Sequence, residues 1–427
     1  MKTTQIRERK KNVSWCLWKV WVKTLSSKLI ITPYHEGLAS VTFLDRHPVD
    51  ICLEQPEAGY QVGDIYIGKV QNVVKNIRCA FLDLGNGVTG YYPLNQRMTP
   101  IYTKKGASQN IQQGDELLVQ IKKDAVKTKA LALSAELSVA GRYLVAVIGS
   151  RQISVSSKLK AIGDGVKWHS LLPLEDGIGW IVRTNAQEAT EEQILREVKY
   201  LQGYCRKLTD TAIHRVWGTC MHSTGAEYLD LIKGARAGDL EEILTDSREV
   251  YEKVQTYLEG FQPEDLDKLT FYQDKLQPLY KKYPVEASID EALRERIWLK
   301  SGGYLVIQMT EALTSIDVNT GKYDGKKQSE ETFLKINLEA AKEAARQMRL
   351  RNLAGIIIID FINMKKEENN ECLLSEMRKF LRQDPVLTVL VDMTPLGLVE
   401  ITRKRTRKTV AEQMKALESV SEKRLEN

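Results

Sequence analysis

The chain has 427 residues and a formal charge of +6, but residues 1–28 hold eight basic groups against one acidic, so the remainder is close to neutral. With 43% hydrophobic and 28% charged residues and no apolar run of bilayer length, the composition excludes a disordered chain and a transmembrane segment and leaves a multidomain globular protein. Six scattered cysteines, with no Cys-x-x-Cys pair and no zinc spacing, exclude a disulfide scaffold and fit a reducing, cytoplasmic location.

Residues 1–27 combine basic residues with Trp15, Trp18 and Trp21, but Lys19 and Lys23 interrupt any signal-peptide core, so a poorly ordered extension is expected. From Lys28 to Leu53 the alternation predicts two or three strands. DIYIGKVQNVVKNIRCAFLDLGNGVTGYYPL reads as three strands turning at Lys75-Asn76 and at Gly85-Asn86-Gly87, and ELLVQIKKDAVKTKALALS adds two more. Five short antiparallel strands suggest a small barrel, of which the OB-fold is the common form. Phe81 and Tyr91 flank the Gly-Asn-Gly turn, and Lys69, Lys122, Lys123, Lys127 and Lys129 are spread through the strands and last loop. Aromatic faces among cations suit single-stranded nucleic acid, although Phe81 could equally be barrel filling.

Residues 141–230 mix helix and strand, and 236–300 are charged and helix-forming. Cys220 and His222 are close, but two such residues fall short of the four ligands zinc takes. YLVIQMTEALTSIDVN then reads as a hairpin turning at Glu311-Ala312. A helix follows from about Ser329 to Asn352, its apolar stripe broken by the amide of Asn337. GIIIIDFINM reads as a strand buried on both faces. The run TRKRTRK is the best candidate for a local basic surface.

Strand, helix, buried strand is an α/β unit with Asp317 near the end of one strand and Asp360 at the end of the next. If the strands are neighbours, both carboxylates emerge at the sheet edge where α/β sites usually lie. Two close carboxylates repel and need a shared proton or a cation. With Asn319 on the same face as Asp317 and no histidine nearby, oxygen ligation of Mg²⁺ is the natural answer, and such an ion suits phosphodiester cleavage. Lys322, Arg346, Arg349 and Arg351 are expected near this site. Asp392, on the next apolar strand, is a candidate third acidic group near the site, with a structural role the favoured reading.

SIDVNTG, NLEAAKEAARQMRLRNLAG and IIIIDFINM closely resemble the catalytic region of the ribonuclease E/G family of bacterial endoribonucleases, and the likeness extends over roughly residues 28–407. It implies an α/β multidomain fold: an S1-like OB-fold barrel at 53–137, a 5′-end sensor region at 138–231, a ribonuclease-H-like structural domain from 28–52 with 232–292, a DNase-I-like catalytic domain at 293–408, and a polar tail at 409–427. It further implies Mg²⁺ held by Asp317 and Asp360, Asn319 orienting the attacking water, RNA contacts from Phe81, Tyr91 and Lys129, and a 5′-monophosphate pocket of Arg183, Thr184 and Val145. The expected activity is Mg²⁺-dependent cleavage of single-stranded RNA in rRNA processing and mRNA decay. Where the family carries a Cys-Pro-x-Cys zinc link this chain reads TRKRTRKTVAEQMKALESV, so a homodimer is possible but no zinc-linked tetramer is expected. The competing reading is a non-catalytic S1-like RNA-binding protein associated with ribosomes or mRNA.

Overall fold

The computed structural model describes residues 27–425 apart from 56–58, 124–129, 157–158, 160–164, 175–176, 236–239, 275 and 322–329. The expectations for residues 1–26, Lys127, Lys129, Lys322 and Ser329 therefore lie outside the described residues.

The described residues form four sheets. The first begins as a meander, Ser27–Tyr34, Gly37–Leu44 and His47–Glu54, each strand pairing antiparallel with the next. Asp45 and Arg46 both adopt positive φ (46° and 71°), the two-residue geometry that matches strand twist in a tight hairpin. Two further strands, Leu240–Thr245 and Leu269–Phe271, join parallel to Ser27–Tyr34, on its other side. The first sheet is thus interrupted by nearly two hundred residues of other structure, and Lys28 meets Glu242, 214 residues on, at 2.6 Å.

The interruption opens with the barrel. Strands Ile65–Val74, Cys79–Asp83, Thr89–Pro93, Leu131–Ser134 and Glu116–Lys123 pair in that order, and the last returns to the first. The ring is closed and consistent with an OB-fold. Its pairings are not all antiparallel, as expected above: Thr89–Pro93 runs parallel to Leu131–Ser134. A closed ring with an odd number of strands must contain such a pair, because alternating directions cannot close on themselves. Tyr66, Val70, Leu82, Tyr92, Val119 and Leu133 fill the interior. Outside it, Ile65, Ile67 and Leu118 pack with a four-stranded sheet built from Leu137–Ala140, Leu144–Ile148, Ile178–Val182 and Ile153–Val155. Helix Glu191–Ala212, capped by the reciprocal Thr190–Gln193 box, covers this sheet with Ile194, Val198, Leu201, Cys205 and Leu208.

The last sheet has the order Arg296–Trp298, Tyr304–Met309, Leu313–Asn319, Gly355–Asp360, Leu398–Arg403, Thr388–Met393. Helices Glu330–Leu350 and Glu367–Arg382 cover one face, where Ile316, Ile357, Ile359, Val399 and Ile401 meet Ala341, Ala344, Met348, Leu373 and Met377. The described residues leave the other face open. Ile356 is 50% exposed, so the isoleucine run is buried on one face only, not on both as its composition suggested.

The polar stretch after residue 408 folds as helix Val410–Leu425, which buries Val410 and Leu417 against the first sheet, while Gln413 accepts the Leu53 N–H at 2.9 Å. The basic run before it is mostly structural. Arg403, almost fully buried, donates to Asp384 at 2.7 Å and to Asn352 at 2.8 Å, Arg405 pairs with Glu412, and Arg407 with the buried Asp50. Arg403 and Arg407 are thus withdrawn from the basic surface expected there, while Lys404 and Lys408 stay exposed. Among the described residues, no helix is long and apolar enough to cross a membrane.

Candidate functional site

Strand Leu313–Asn319 runs parallel to Gly355–Asp360, and the register sets Asp317 directly opposite Asp360. Residues in register share a face, so both carboxylates project from the open face, with Cβ atoms about 5 Å apart by ordinary sheet geometry. Both residues are exposed. Their neighbours Ile316 and Ile359 point into the core, 1% and 0% exposed, which locks the alternation and hence the outward direction of the acids. Asn319, on the same face, donates from Nδ2 to Asp317 Oδ2 at 2.6 Å.

The chain beyond Asp360 is held by two side chains of the covering helix. Asn337, wholly buried, donates from Nδ2 to the Ile362 carbonyl at 2.8 Å and accepts the Ile362 N–H on Oδ1 at 3.0 Å. Glu330 accepts the Lys365 N–H at 2.7 Å and a bond from Asn369 at 3.1 Å, and these hold its carboxyl below the usual range. Asn337 was visible in the sequence only as the amide that broke an apolar stripe. The structure explains it as a clamp on the loop two residues past Asp360.

No cluster of three His, Cys, Asp or Glu side chains suited to a metal occurs among the described residues. Two carboxylates and an amide are an oxygen-rich donor set with too few protein ligands to enclose Ca²⁺, and they fit Mg²⁺, which keeps several waters and takes one or two carboxylates plus phosphate oxygens. The arginines expected beside this site lie elsewhere. Arg346 pairs with Glu343 and Glu291 and donates to the Pro48 carbonyl, Arg349 reaches Asp50 at 3.4 Å, and buried Arg351 donates to Gln347 at 2.6 Å. Arg346 and Arg349 join the covering helix to the first sheet. Asp392 is exposed and accepts the N–H of Met393.

On the barrel, Phe81 sits opposite Tyr91, with ring centroids 6.1 Å apart in an edge-on arrangement. Both are half-buried and neither belongs to the barrel core, so Phe81 is surface, not filling. Lys122 and Lys123 are exposed at the end of Glu116–Lys123.

In the third sheet Val145 pairs with Ile181, and Arg183 follows two residues later, its N–H bonded to the Tyr143 carbonyl at 2.8 Å. The Arg183 guanidinium donates to the Gly141 carbonyl, and the Thr184 hydroxyl lies 3.3 Å from that of Ser156. Arg183 and Thr184 thus follow the end of Ile178–Val182, with Val145 on the strand to one side and the Thr184 hydroxyl turned to Ser156 on the other. Beneath them is a residue the sequence reading missed: Glu197, 4% exposed, accepts the N–H groups of Tyr143 and Leu144 at 3.1 Å. Burial pushes its carboxyl up to about 7, against the opposing pull of those N–H bonds and of Arg183 and Arg142. Its signal was a lone acid on the apolar stripe of helix Glu191–Ala212. His222 is bonded to the Tyr204 hydroxyl at 2.8 Å, and burial lowers it to about 4.

The model of the ribonuclease E/G family matches residues 138–406. Ribonuclease G of Salmonella typhimurium is 33% identical over 361 residues, covering 82% of this chain and 74% of that protein. Ribonuclease G of Escherichia coli is 32% identical over the same shares. Ribonuclease E of Nostoc is 32% identical over 362 residues, 83% of this chain and 52% of that protein.

Proposed function

The chain belongs to the ribonuclease E/G family of endoribonucleases, and from that premise we propose that it cuts single-stranded RNA internally, with Mg²⁺ held by Asp317 and Asp360. The observation that carries this reading is the parallel register that sets those two acids opposite each other, with Asn319 bonded to one of them. When bound, the ion would activate water and stabilise charge on the scissile phosphoryl group. Asn319 orients the Asp317 carboxylate with its N–H and keeps its amide oxygen as an acceptor for the attacking water. Asn337 and Glu330 hold the Asp360 strand end from behind. Hydrolysis in this arrangement leaves a 3′-hydroxyl and a 5′-phosphate.

The barrel serves as the clamp, with Phe81 and Tyr91 stacking on bases and Lys129 adding charge. The outward setting of the two rings supports this. Arg183, Thr184 and Val145 form a pocket for a 5′-monophosphate, in which a guanidinium and a hydroxyl share the phosphate oxygens. The five-stranded order of the first sheet, three antiparallel strands followed by two parallel ones, supports a ribonuclease-H-like domain with a structural role. The DNase-I-like, S1-like and sensor boundaries given above belong to the same proposal, as do a cytoplasmic location and a homodimer.

The test is a short AU-rich RNA bearing a 5′-monophosphate or a 5′-hydroxyl, incubated with the protein in Mg²⁺ or EDTA beside Asp317→Asn and Asp360→Asn. Internal cuts that need Mg²⁺, are faster on the monophosphate and vanish in both variants while RNA binding persists are the expected result. Binding without cleavage in every sample would overturn the catalytic reading and favour an RNA-binding protein.

A further inference from the structure

The loop Ile213–Thr219 leaves helix Glu191–Ala212 and runs along the first barrel strand, where Gly218 donates to the Ile67 carbonyl at 2.7 Å and Ile67 donates to Thr219 at 3.1 Å. It is pinned there by two glycines. Gly85 (φ +94°) and Gly218 (φ +82°) approach so closely that a Cβ on either would meet the other's Cα at 3.2–3.3 Å. The Gly85-Asn86-Gly87 turn therefore does more than reverse the chain: it receives this loop. What the loop carries is unusual for a surface. Ile213 is 60%, Val216 74% and Trp217 37% exposed, with His214 and Arg215 exposed between them. The Lys69 ammonium lies 5.5 Å from the centroid of the Trp217 ring.

Lys69 is directly opposite Asp83 on the neighbouring strand, and Phe81 is two residues from Asp83, hence on the same outward face. Trp217, Lys69, Phe81 and Tyr91 thus lie along one outward surface, with a bulge at Gln71 between the Lys69–Asp83 pair and the Asn72–Phe81 pair. Asp83, the acid among them, is engaged by the Gly85 N–H at 2.8 Å and by Gln71 at 2.9 Å. We propose that Trp217, with Lys69, is a further base-stacking subsite for single-stranded RNA, extending the Phe81–Tyr91 surface across the barrel rim. The inference rests on the reading of the barrel as the RNA clamp. The indole offers a face to any base, Lys69 and Arg215 offer charge to the backbone, and a half-exposed ring beside a cation is the pattern of sequence-tolerant strand binding.

The experiment measures affinity for fluorescein-labelled poly-U oligonucleotides of increasing length, in EDTA to prevent cutting, for the full chain and for Trp217→Ala, Trp217→Phe and Phe81→Ala. Trp217→Ala should weaken binding of the longer oligonucleotides about 5- to 20-fold, converting the stacking loss of an alanine substitution at a half-exposed site. Trp217→Phe should stay within about 2-fold, because a π-face remains, and the shortest oligonucleotides, too short to reach from Phe81, should not distinguish the variants. Weakening by Phe81→Ala but not by Trp217→Ala overturns the subsite and leaves the clamp intact. No effect of either removes the clamp and the subsite together. A change in sedimentation of Trp217→Ala with unaltered RNA affinity makes the loop a protein contact and also overturns the proposal. If Trp217→Ala lowers the urea midpoint, 4-thiouridine RNA is photo-crosslinked to the unmodified protein. An adduct on the Trp217 peptide is expected, and crosslinks at Phe81 without one there overturn the subsite.

Discussion

Asn337→Asp is the sharpest test of how the Asp360 strand end is held. The substitution preserves shape and the acceptor for the Ile362 N–H, but replaces the N–H donor to the Ile362 carbonyl with an oxygen. The site is 0% exposed. A carboxylate there is desolvated and faces a carbonyl, so its folded pKa rises above the unfolded value of about 3.9. The folded state then holds its proton more tightly, so the variant should match the parent near pH 4 and lose stability as pH rises. The slope is about 1.4 kcal/mol per unit, reaching about 4 kcal/mol by pH 7 if the site stays protonated that far. The assay is the urea midpoint of parent and variant between pH 4.5 and 7.5. The Mg²⁺ concentration for half-maximal cleavage should rise in parallel, because the clamped loop begins two residues past Asp360. A stability difference that does not change with pH, or a variant as stable as the parent at pH 7, refutes the clamp.

Three further outcomes follow from buried charge and backbone geometry. Glu54 is pushed up to about 7 by burial and then by Glu227, while its carboxylate accepts the Tyr228 N–H; stability it contributes is present below about pH 4.5 and lost as pH rises to 7. Glu54→Gln should therefore gain up to about 3 kcal/mol over the parent above pH 7 and nothing near pH 4.5, read from urea midpoints. Arg403→Met removes the buried guanidinium that balances the Asp384 charge and should cost about 3–5 kcal/mol, whereas Arg405→Ala, whose ion pair is exposed, should cost less than about 1 kcal/mol by the same measurement. Gly218→Ala combines a positive φ with a close backbone contact and should lower stability by about 1–2 kcal/mol.

The parts of the site that the sequence made legible are those encoded locally. Alternation placed Asp317 and Asn319 on one face, and a strand–helix–strand pattern made the neighbouring parallel strand a reasonable home for Asp360. Local pattern failed where partners are remote. Arg349 and Arg407 look like free cations until Asp50, some 300 residues earlier, is seen to take both. Four isoleucines in a row read as a strand buried twice over, yet alternate members face the open side, because apolar composition says nothing about how many layers a sheet receives. Asn337 and Glu197 each appeared as one polar residue on an apolar helical stripe, a signal that marks buried hydrogen bonding without saying what is bonded.

The interruption of the first sheet sets a timetable for synthesis. Strand Ser27–Tyr34 cannot find its parallel neighbour until Thr245 has emerged, and with 214 residues separating Lys28 from Glu242, elongation at 5–20 residues per second imposes a wait of roughly 10–40 s. During that interval a three-stranded meander presents an unpaired edge and an uncovered apolar face, while the barrel behind it has every strand it needs to close. The order of assembly thus departs from the order of the chain: the barrel is complete first, and the meander that precedes it is among the last to gain a folded neighbour. For a newly made chain, the vulnerable surface is the N-terminal meander, which is where a chaperone or a protease would find its opening.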